Sequence, residues 1–250
     1  MEEGGIHIVL AAEKLGEIWG LPITNTLITS WVVIFVLASI AFLVGRNIKL
    51  IPGKTQVLFE SMFSYILDYM ETTLESKSLA QKFFPFIVTL FLFIFTANIL
   101  EFTPGIGSIG FFLGEVGHQE FVPIFRSVNT DLNVTLALAI ISFLVIEISG
   151  VVLIGFLKYS GKFVNFKSVL GFFIGIIELF SEIARLVSFS FRLFGNIFAG
   201  EVLILVATTF VPFFLPIPLM VFEVFVGFIQ AAIFSLLTLF FIKIAIAEPH

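Results

Sequence analysis

The chain has 250 residues, of which 59% are hydrophobic and 12% are charged, and its formal net charge is −5. Ordinary soluble domains are about 45–50% apolar and about 25% charged, so this composition excludes a soluble domain and indicates an integral membrane protein. Cysteine is absent, which excludes a disulfide framework, a thiol nucleophile and a sulfur-ligated metal. Several apolar stretches reach the ~20 residues needed to cross a bilayer, which predicts an all-α fold with about five membrane-crossing helices.

The whole chain, residues 1–250, is predicted to form one membrane domain that polar connections divide into seven segments. These are an outer N-terminal segment (1–26), a first span (27–44), a cytoplasmic connection with an amphipathic part (45–82), a second span (83–102), an outer loop (103–130), a third span (131–158) and a tilted helical hairpin (163–247). Asp131 or Thr130 is expected to cap the third span. The hairpin contains two helices of unusual length, up to Phe210 and from Leu219, which a strongly inclined packing accommodates within a core of about 30 Å.

Basic residues are concentrated in two connections, which predicts the orientation of the chain. They are Arg46, Lys49, Lys54, Lys77 and Lys82 before the second span, and Lys158, Lys162 and Lys167 after the third span. The outer N-terminal segment contains only Lys14, and the outer loop only Arg126. By the positive-inside rule, the N-terminus is expected outside and the C-terminus in the cytoplasm.

Arg192 lies inside an apolar run, although its guanidinium cannot lose its charge in a protein. Placing an arginine at the centre of a membrane helix costs roughly 2.5–3.5 kcal/mol of insertion free energy. Because the chain bears this cost, Arg192 is expected to have a function. At about 100° per residue, one helical face joins Arg192 to several polar or small residues. These are Glu178, Ser181, Arg185, Ser188, Asn196 and Ala199, and we call the seven positions the Arg192 stripe. Glu201 points to roughly the opposite face.

Polar residues of the last helix extend this pattern. Glu223 and Gln230 are seven residues apart on one face, and Gly227 between them leaves room for another helix or for water. If the two long helices pair antiparallel, Glu201 and Glu223 could share one aqueous pocket. Asn196 and Gln230 could equally be amides that join helices.

Several polar residues have a structural interpretation that stays open. Arg192 could be a charge locked to a nearby glutamate. Glu182 and Arg185 are interpreted as interfacial residues where the helix enters from the cytoplasm, and Glu147 has no assigned role. Nucleotide and zinc motifs are missing, and no basic stripe suggests nucleic acid, so we expect no cofactor, no metal and no nucleic-acid partner. The three histidines are predicted to be solvated: His7, His118 and His250.

The segment from Ser188 to Glu201, SFSFRLFGNIFAGE, closely resembles the signature of subunit a of the F-type ATP synthase. Three other segments resemble the same family in the same order, namely residues 84–98 (FPFIVTLFLFIFTAN), 131–135 (DLNVT) and 230–238 (QAAIFSLLT). The resemblance covers residue 20 to the C-terminus. It implies a non-catalytic, proton-conducting stator subunit that provides two half-channels to a c-ring and couples ion flow to rotation during ATP synthesis.

The resemblance also implies roles for particular residues. Arg192 matches the essential arginine that faces the ion-carrying carboxylate of the c-ring. Glu201 and Glu223 match a polar pair of the outer access channel, Gln230 an amide close to the arginine, and Asn196 a polar residue of the signature. The remaining positions are Glu178 and Ser188 on the inner half-channel side, and Asp131 and Asn133 near the outer entrance.

Two residues depart from the family pattern. Leu186 stands where many relatives have proline, so the helix is expected to be straighter there. Glu101 stands where relatives commonly have glycine, which adds a charge at the outer end of the second span. Neither is expected to touch the positions of the proton path.

The resemblance implies the c-ring, the peripheral-stalk b subunits, the catalytic head through the stalks, and the lipid bilayer as partners. It favours a multi-pass protein of the bacterial plasma (inner) membrane over one of the thylakoid membrane. The alternative function is a proton-coupled secondary transporter, which predicts internal repeats that are not apparent here. A structural anchor without an ion path is the third possibility, in which Arg192 and Glu201 would tolerate apolar replacements.

Overall fold

The computed structural model of the chain describes residues 12–46, 48–103, 109–113, 120–163 and 169–247. Within these ranges the helices are α1 (Asn25–Arg46), α2 (Lys54–Leu74), α3 (Lys77–Glu101), α4 (Leu132–Ile154), α5 (Phe156–Phe163), α6 (Val169–Phe210) and α7 (Pro216–Ile246). Five of these helices, α1, α3, α4, α6 and α7, are long and apolar enough to cross a membrane. The prediction of an all-α integral membrane protein with long C-terminal helices is therefore confirmed.

Two short β-hairpins were not expected from the sequence. β1 (Lys14–Ile18) pairs antiparallel with β2 (Leu21–Thr24), and β3 (Gly110–Leu113) with β4 (Glu120–Pro123). Trp19 and Gly20 join the first pair, with φ angles of 56° and 82°. Positive φ at both turn residues gives a two-residue turn whose twist matches the strands. Strands of four or five residues are too short to give a clear alternating pattern.

The cytoplasmic connection and the end of the third span contain helix boundaries that the hydropathy pattern does not show. The amphipathic part is α2, which ends before Glu75, and α3 begins shortly after it. α4 ends at Ile154 because Gly155 adopts φ +96°, and a separate short helix, α5, follows. The left-handed conformation favours glycine, so a continuous helix through this position is excluded.

The helix ends at the third span and at the hairpin follow from local chemistry. Asp131 caps α4, because its Oδ1 accepts a hydrogen bond from the backbone N–H of Asn133 at 2.9 Å. α6 has 42 residues, which corresponds to about 60 Å, and it continues through Leu186 as expected without proline. Pro216 and Pro218 lie in the first turn of α7, where a missing N–H costs little.

The chain divides into two compact units. Unit 1 consists of Met1–Leu43, Phe91–Thr135 and Arg192–Ala232, and unit 2 of Val44–Leu90, Leu136–Phe191 and Ile233–His250. A buried cluster in unit 1 contains Val33, Ala97 and Val128. A larger cluster in unit 2 includes Met70, Ile87, Ile146, Leu239 and Ile242. Because lipid is as apolar as these side chains, packing and polar contacts rather than apolar burial hold such helices together.

Candidate functional site

In unit 1, two predicted channel residues lie where α6 packs against α7. Glu223 is 5% exposed, and its carboxylate packs directly on Gly200, where any Cβ atom would collide with it. Gly200 precedes Glu201 in the chain. Oε2 of Glu201 and Oε1 of Glu223 are both buried, and neither has a hydrogen-bond partner among the described residues. The structure thus brings this pair of glutamates into one region of unit 1.

Glu101, at the end of α3, belongs to the same group of acids. Its carboxylate accepts a hydrogen bond from the Ser127 hydroxyl at 2.8 Å, and it interacts electrostatically with Glu201, Glu223 and Arg126. Glu101 is therefore near enough to Glu201 and Glu223 to act on them electrostatically, which the sequence did not indicate. The sequence shows that Glu101 is the last residue of a span. It does not show how close Glu101 comes to Glu201 and Glu223.

Amide side chains form a second polar group in unit 1. Asn196 donates from Nδ2 to Oε1 of Gln230 at 2.7 Å, while Nε2 of the 2%-exposed Gln230 has no partner among the described residues. Asn98 of α3 occupies the room that Gly227 leaves, and it donates to the Gly227 carbonyl at 3.0 Å. Asn129 in turn donates to Asn98 at 2.6 Å. The amides do join helices, as one interpretation expects, and the contributions of Asn98 and Asn129 were not anticipated.

The predicted channel-entrance residues are joined to each other and to α1. Asp131 is buried and accepts from the Thr26 hydroxyl at 2.7 Å through Oδ2 and from the Asn133 side-chain amide at 3.1 Å through Oδ1. Asn133 is exposed. Asp131 therefore has a structural part in capping α4 and anchoring α1, whereas a role at the entrance stays a prediction.

Unit 2 contains a different kind of site, in which carboxylates meet cations. Lys162 Nζ lies 2.8 Å from Glu178 Oε1 and 3.7 Å from Glu182 Oε1. The other oxygen of Glu182 lies 2.6 Å from Arg185 Nη1, and the Arg185 guanidinium stacks 3.9 Å from the centre of the Phe241 ring. Glu182 is only 3% exposed. The charge of Glu182 is therefore buried against two cations, and its interpretation as an interfacial residue stays a prediction.

Glu147 and Tyr159 form the other polar contact of unit 2. The Tyr159 hydroxyl donates to Glu147 Oε2 at 2.9 Å, and the tyrosine ring, 5% exposed, packs on Gly150, where a Cβ atom would collide with it. Burial, followed by the hydrogen bond to Glu147, raises the pKa of the Tyr159 phenol above its ordinary value. Oε1 of Glu147 is buried without a partner among the described residues.

Four of the seven positions of the Arg192 stripe are exposed, and the other three are half-buried. In unit 2, Ser181 and Ser188 are exposed, while Glu178 and Arg185 are half-buried. In unit 1, Asn196 and Ala199 are exposed, and Arg192 is half-buried. All seven positions belong to the continuous helix α6. Polar and charged side chains of membrane helices face protein or water rather than lipid. We therefore expect the stripe to face a partner protein or an aqueous path.

The polar residues that the sequence pattern does not reveal have one property in common. Each of them contacts a residue that is distant in the sequence. Lys162 and Tyr159 lie in a basic connection that served only to predict orientation, and their spacing of three residues on a short helix was the available signal. In the described ranges, no group of three or more histidine, cysteine, aspartate or glutamate side chains is arranged to hold a metal ion.

Comparisons with known proteins agree with the resemblance in the sequence. The family described as ATP synthase A chain matches residues 27–243. The sodium-ion-specific ATP synthase subunit a of Propionigenium modestum is 31% identical over 96% of this chain and 80% of its own length. ATP synthase subunit a of Campylobacter jejuni is 33% identical over 80% of both chains, and that of Campylobacter curvus is 30% identical over 87% of this chain and 89% of its own length.

Proposed function

Because the chain belongs to the family of subunit a of the F-type ATP synthases, we propose that it conducts protons through two half-channels to a c-ring. The family makes it the ion-translocating stator subunit of a bacterial membrane complex, with the catalytic activity in other subunits. The secondary-transporter alternative does not fit this family. What we add is the assignment of the ion path to particular residues.

The observation that carries the proposal is the Arg192 stripe, on which Ser181, Ser188, Asn196 and Ala199 are exposed beside the half-buried arginine. A permanent cation on such a helix face is placed to meet a carboxylate on a moving neighbour, and it favours the ionised form of that carboxylate. Proton release from the c-ring carboxylate follows from this encounter. The same fixed charge opposes a proton that would pass straight from one half-channel to the other.

We assign one half-channel to each unit. Unit 1 supplies Glu201, Glu223 and Gln230 to the outer path, with Asn196 beside the arginine and Asp131 and Asn133 at the entrance. Unit 2 supplies Glu178 and Ser188 to the inner path. The basic connections support the assignment of unit 2 to the cytoplasmic side. The basic residues of the connection from Arg46 to Lys82 belong to unit 2, and so do Lys158 and Lys162.

Protons rather than sodium ions are proposed as the cargo of this chain. Glu201 and Glu223 of unit 1 each present a buried carboxylate oxygen without a hydrogen-bond partner among the described residues, and such an oxygen can take up and release a proton. The b subunits of the peripheral stalk, and through them the catalytic head, are the further partners proposed.

Cross-linking tests whether the stripe faces the c-ring. The chain contains no cysteine, so one introduced thiol is unique in it. Ser188→Cys places that thiol on the stripe, and Ile183→Cys, also at an exposed position of α6, places it about 140° away around the helix. We expect Ser188→Cys, and not Ile183→Cys, to form a disulfide with a cysteine on the carboxylate-bearing helix of the c subunit. Equal or reversed yields would contradict the proposal.

A further inference from the structure

Helix α5 of unit 2 connects two membrane helices through two side chains of one face. Tyr159 and Lys162 are three residues apart, so they lie one above the other on this short helix. Tyr159 donates to Glu147 of α4 at 2.9 Å. Lys162 contacts Glu178 of α6 at 2.8 Å. The turn at Gly155, with φ +96°, folds α5 back so that it reaches both helices.

The three carboxylates around α5 differ in what each one contacts. Glu178 lies at ion-pair distance from Lys162, and Glu182 from both Lys162 and Arg185. Among the described residues, Glu147 has no cation at such a distance, and its buried Oε1 has no partner. A proton placed on Glu178 or Glu182 would weaken an ion pair. A proton placed on Oε1 of Glu147 would break no interaction.

We propose that Glu147 is the proton-exchanging carboxyl of the inner path, and that Tyr159 positions it. In this step a proton from the c-ring carboxylate, carried by water, adds to Oε1 of Glu147, and the O–H bond so formed later breaks to return the proton to water on the cytoplasmic side. The inference rests on the proposed function, and it deepens that function by assigning a further residue of unit 2 to the inner path. Glu182 then serves to hold Lys162 and Arg185 in place, while Glu178 keeps its proposed position on the inner path beside Lys162.

The surroundings of Glu147 suit this exchange. The charged or titratable groups that act on it are Tyr159 and Lys162 of α5 and Glu182 and Arg185 of α6. Because burial raises the pKa of Tyr159, the phenol keeps its proton and stays a donor to Oε2. Oε1 of Glu147, which has no partner among the described residues, is left for the exchange. Gly150 allows this arrangement, since a side chain there would displace the Tyr159 ring.

The test uses the whole complex, reconstituted in vesicles, with passive proton conduction measured after removal of the catalytic head. Glu147→Gln keeps an acceptor for the Tyr159 hydroxyl but cannot exchange a proton. We expect it to lower conduction by about tenfold, which is less than one positioned proton-transfer group commonly contributes. Glu60→Gln, the same change at an exposed position of α2, is the matched control and is expected to conduct normally.

Tyr159→Phe separates proton exchange from a purely structural clamp. It removes the hydrogen bond but keeps the carboxyl, so we expect it to conduct better than Glu147→Gln. A structural clamp predicts the reverse order, because the glutamine still accepts the bond, and that order would overturn the inference. Conduction by Glu147→Gln equal to that of Glu60→Gln would overturn it as well.

Two further arms keep the result interpretable. If Glu147→Gln does not assemble, Glu147→Asp retains an acid with a shorter reach, and it is expected to shift the pH dependence of conduction; an unchanged profile would contradict the inference.

Arg192→Ala is measured in parallel for ATP-driven pumping. Loss of pumping there with normal conduction by Glu147→Gln sinks only this inference, whereas normal pumping by Arg192→Ala sinks the proposed function.

Discussion

The two units bury polar side chains among apolar ones in different ways. In unit 1, hydroxyls and amides provide the hydrogen bonds, and Glu201 and Glu223 each keep a buried oxygen without a partner in the described part of the chain. In unit 2, Lys162 and Arg185 form ion pairs with two of the carboxylates. Glu201 and Glu223 of unit 1 thus each keep one oxygen open to a proton, although Arg126 acts electrostatically on Glu201, whereas Glu178 and Glu182 of unit 2 lie at ion-pair distance from cations.

This contrast separates two uses of charge inside a membrane protein. An acid that exchanges protons has to gain and lose its charge without disturbing its neighbours, so a strong ion pair would oppose the exchange. A buried ion pair, in contrast, becomes costly once one partner is removed, because the other charge is left uncompensated. Replacing Glu201 or Glu223 of unit 1 should therefore affect conduction, whereas replacing the ion-paired Glu182 of unit 2 should affect stability.

Among the acids of the two units, the largest effect on transport is expected at Glu223 in unit 1. Glu223→Gln preserves the size of the side chain against Gly200 but removes the exchangeable proton. Proton conduction through the complex should fall by about 100-fold or more, within the range that one positioned proton-transfer group commonly contributes. The measurement is passive conduction in reconstituted vesicles at equal amounts of assembled complex.

Glu17→Gln is the control for that experiment, because Glu17 is an exposed residue of β1 in the same unit. It is expected to conduct like the natural chain. Should Glu223→Gln conduct equally well, the acid of α7 would have a packing role and the outer path would need another residue, for which Glu101 is the neighbouring candidate.

A smaller effect, on stability rather than transport, is expected at Glu182 in unit 2. Glu182→Gln leaves Arg185 and Lys162 without the carboxylate that both contact. Removing one partner of a buried pair typically costs about 3–5 kcal/mol, and roughly half of that is expected here because both cations are partly exposed. The measurement is the thermal unfolding of the purified complex, with Glu60→Gln as the control.

Unchanged unfolding of Glu182→Gln would show that the ion pairs of unit 2 add nothing to stability. A loss of conduction at full stability would instead move Glu182 into the ion path and would remove the difference between the two units.

The sequence predicted the membrane class and the long C-terminal helices, and it offered a helix-joining role for Asn196 and Gln230, because hydropathy and helical periodicity are patterns of residues close together in the chain. It did not predict the hairpins β1–β2 and β3–β4, whose strands are too short for a clear pattern. The break at Gly155 was also missed, since glycine in an apolar run does not by itself end a helix.

The sequence does not predict the contacts between segments that are distant along the chain. Glu101 was recognised as an extra charge, but its coupling to Glu201 depends on how the outer loop returns Arg126 and Ser127 to the end of α3. Lys162 was counted as a cytoplasmic marker because a single lysine does not reveal which carboxylate it meets. The roles of the predicted site residues in ion transfer remain predictions that the variants above test.

The most direct test of the central claim concerns Arg192. ATP-driven acidification of inverted membrane vesicles is compared, in sodium-free buffer and at matched assembly, between the natural chain, Arg192→Ala and Arg46→Ala. Arg46, exposed at the end of α1, is the control for losing one positive charge. We expect the proton gradient to be abolished only in Arg192→Ala, with the complex intact. A normal gradient in that variant would return Arg192 to a structural role and make the chain an anchor without an ion path at this residue.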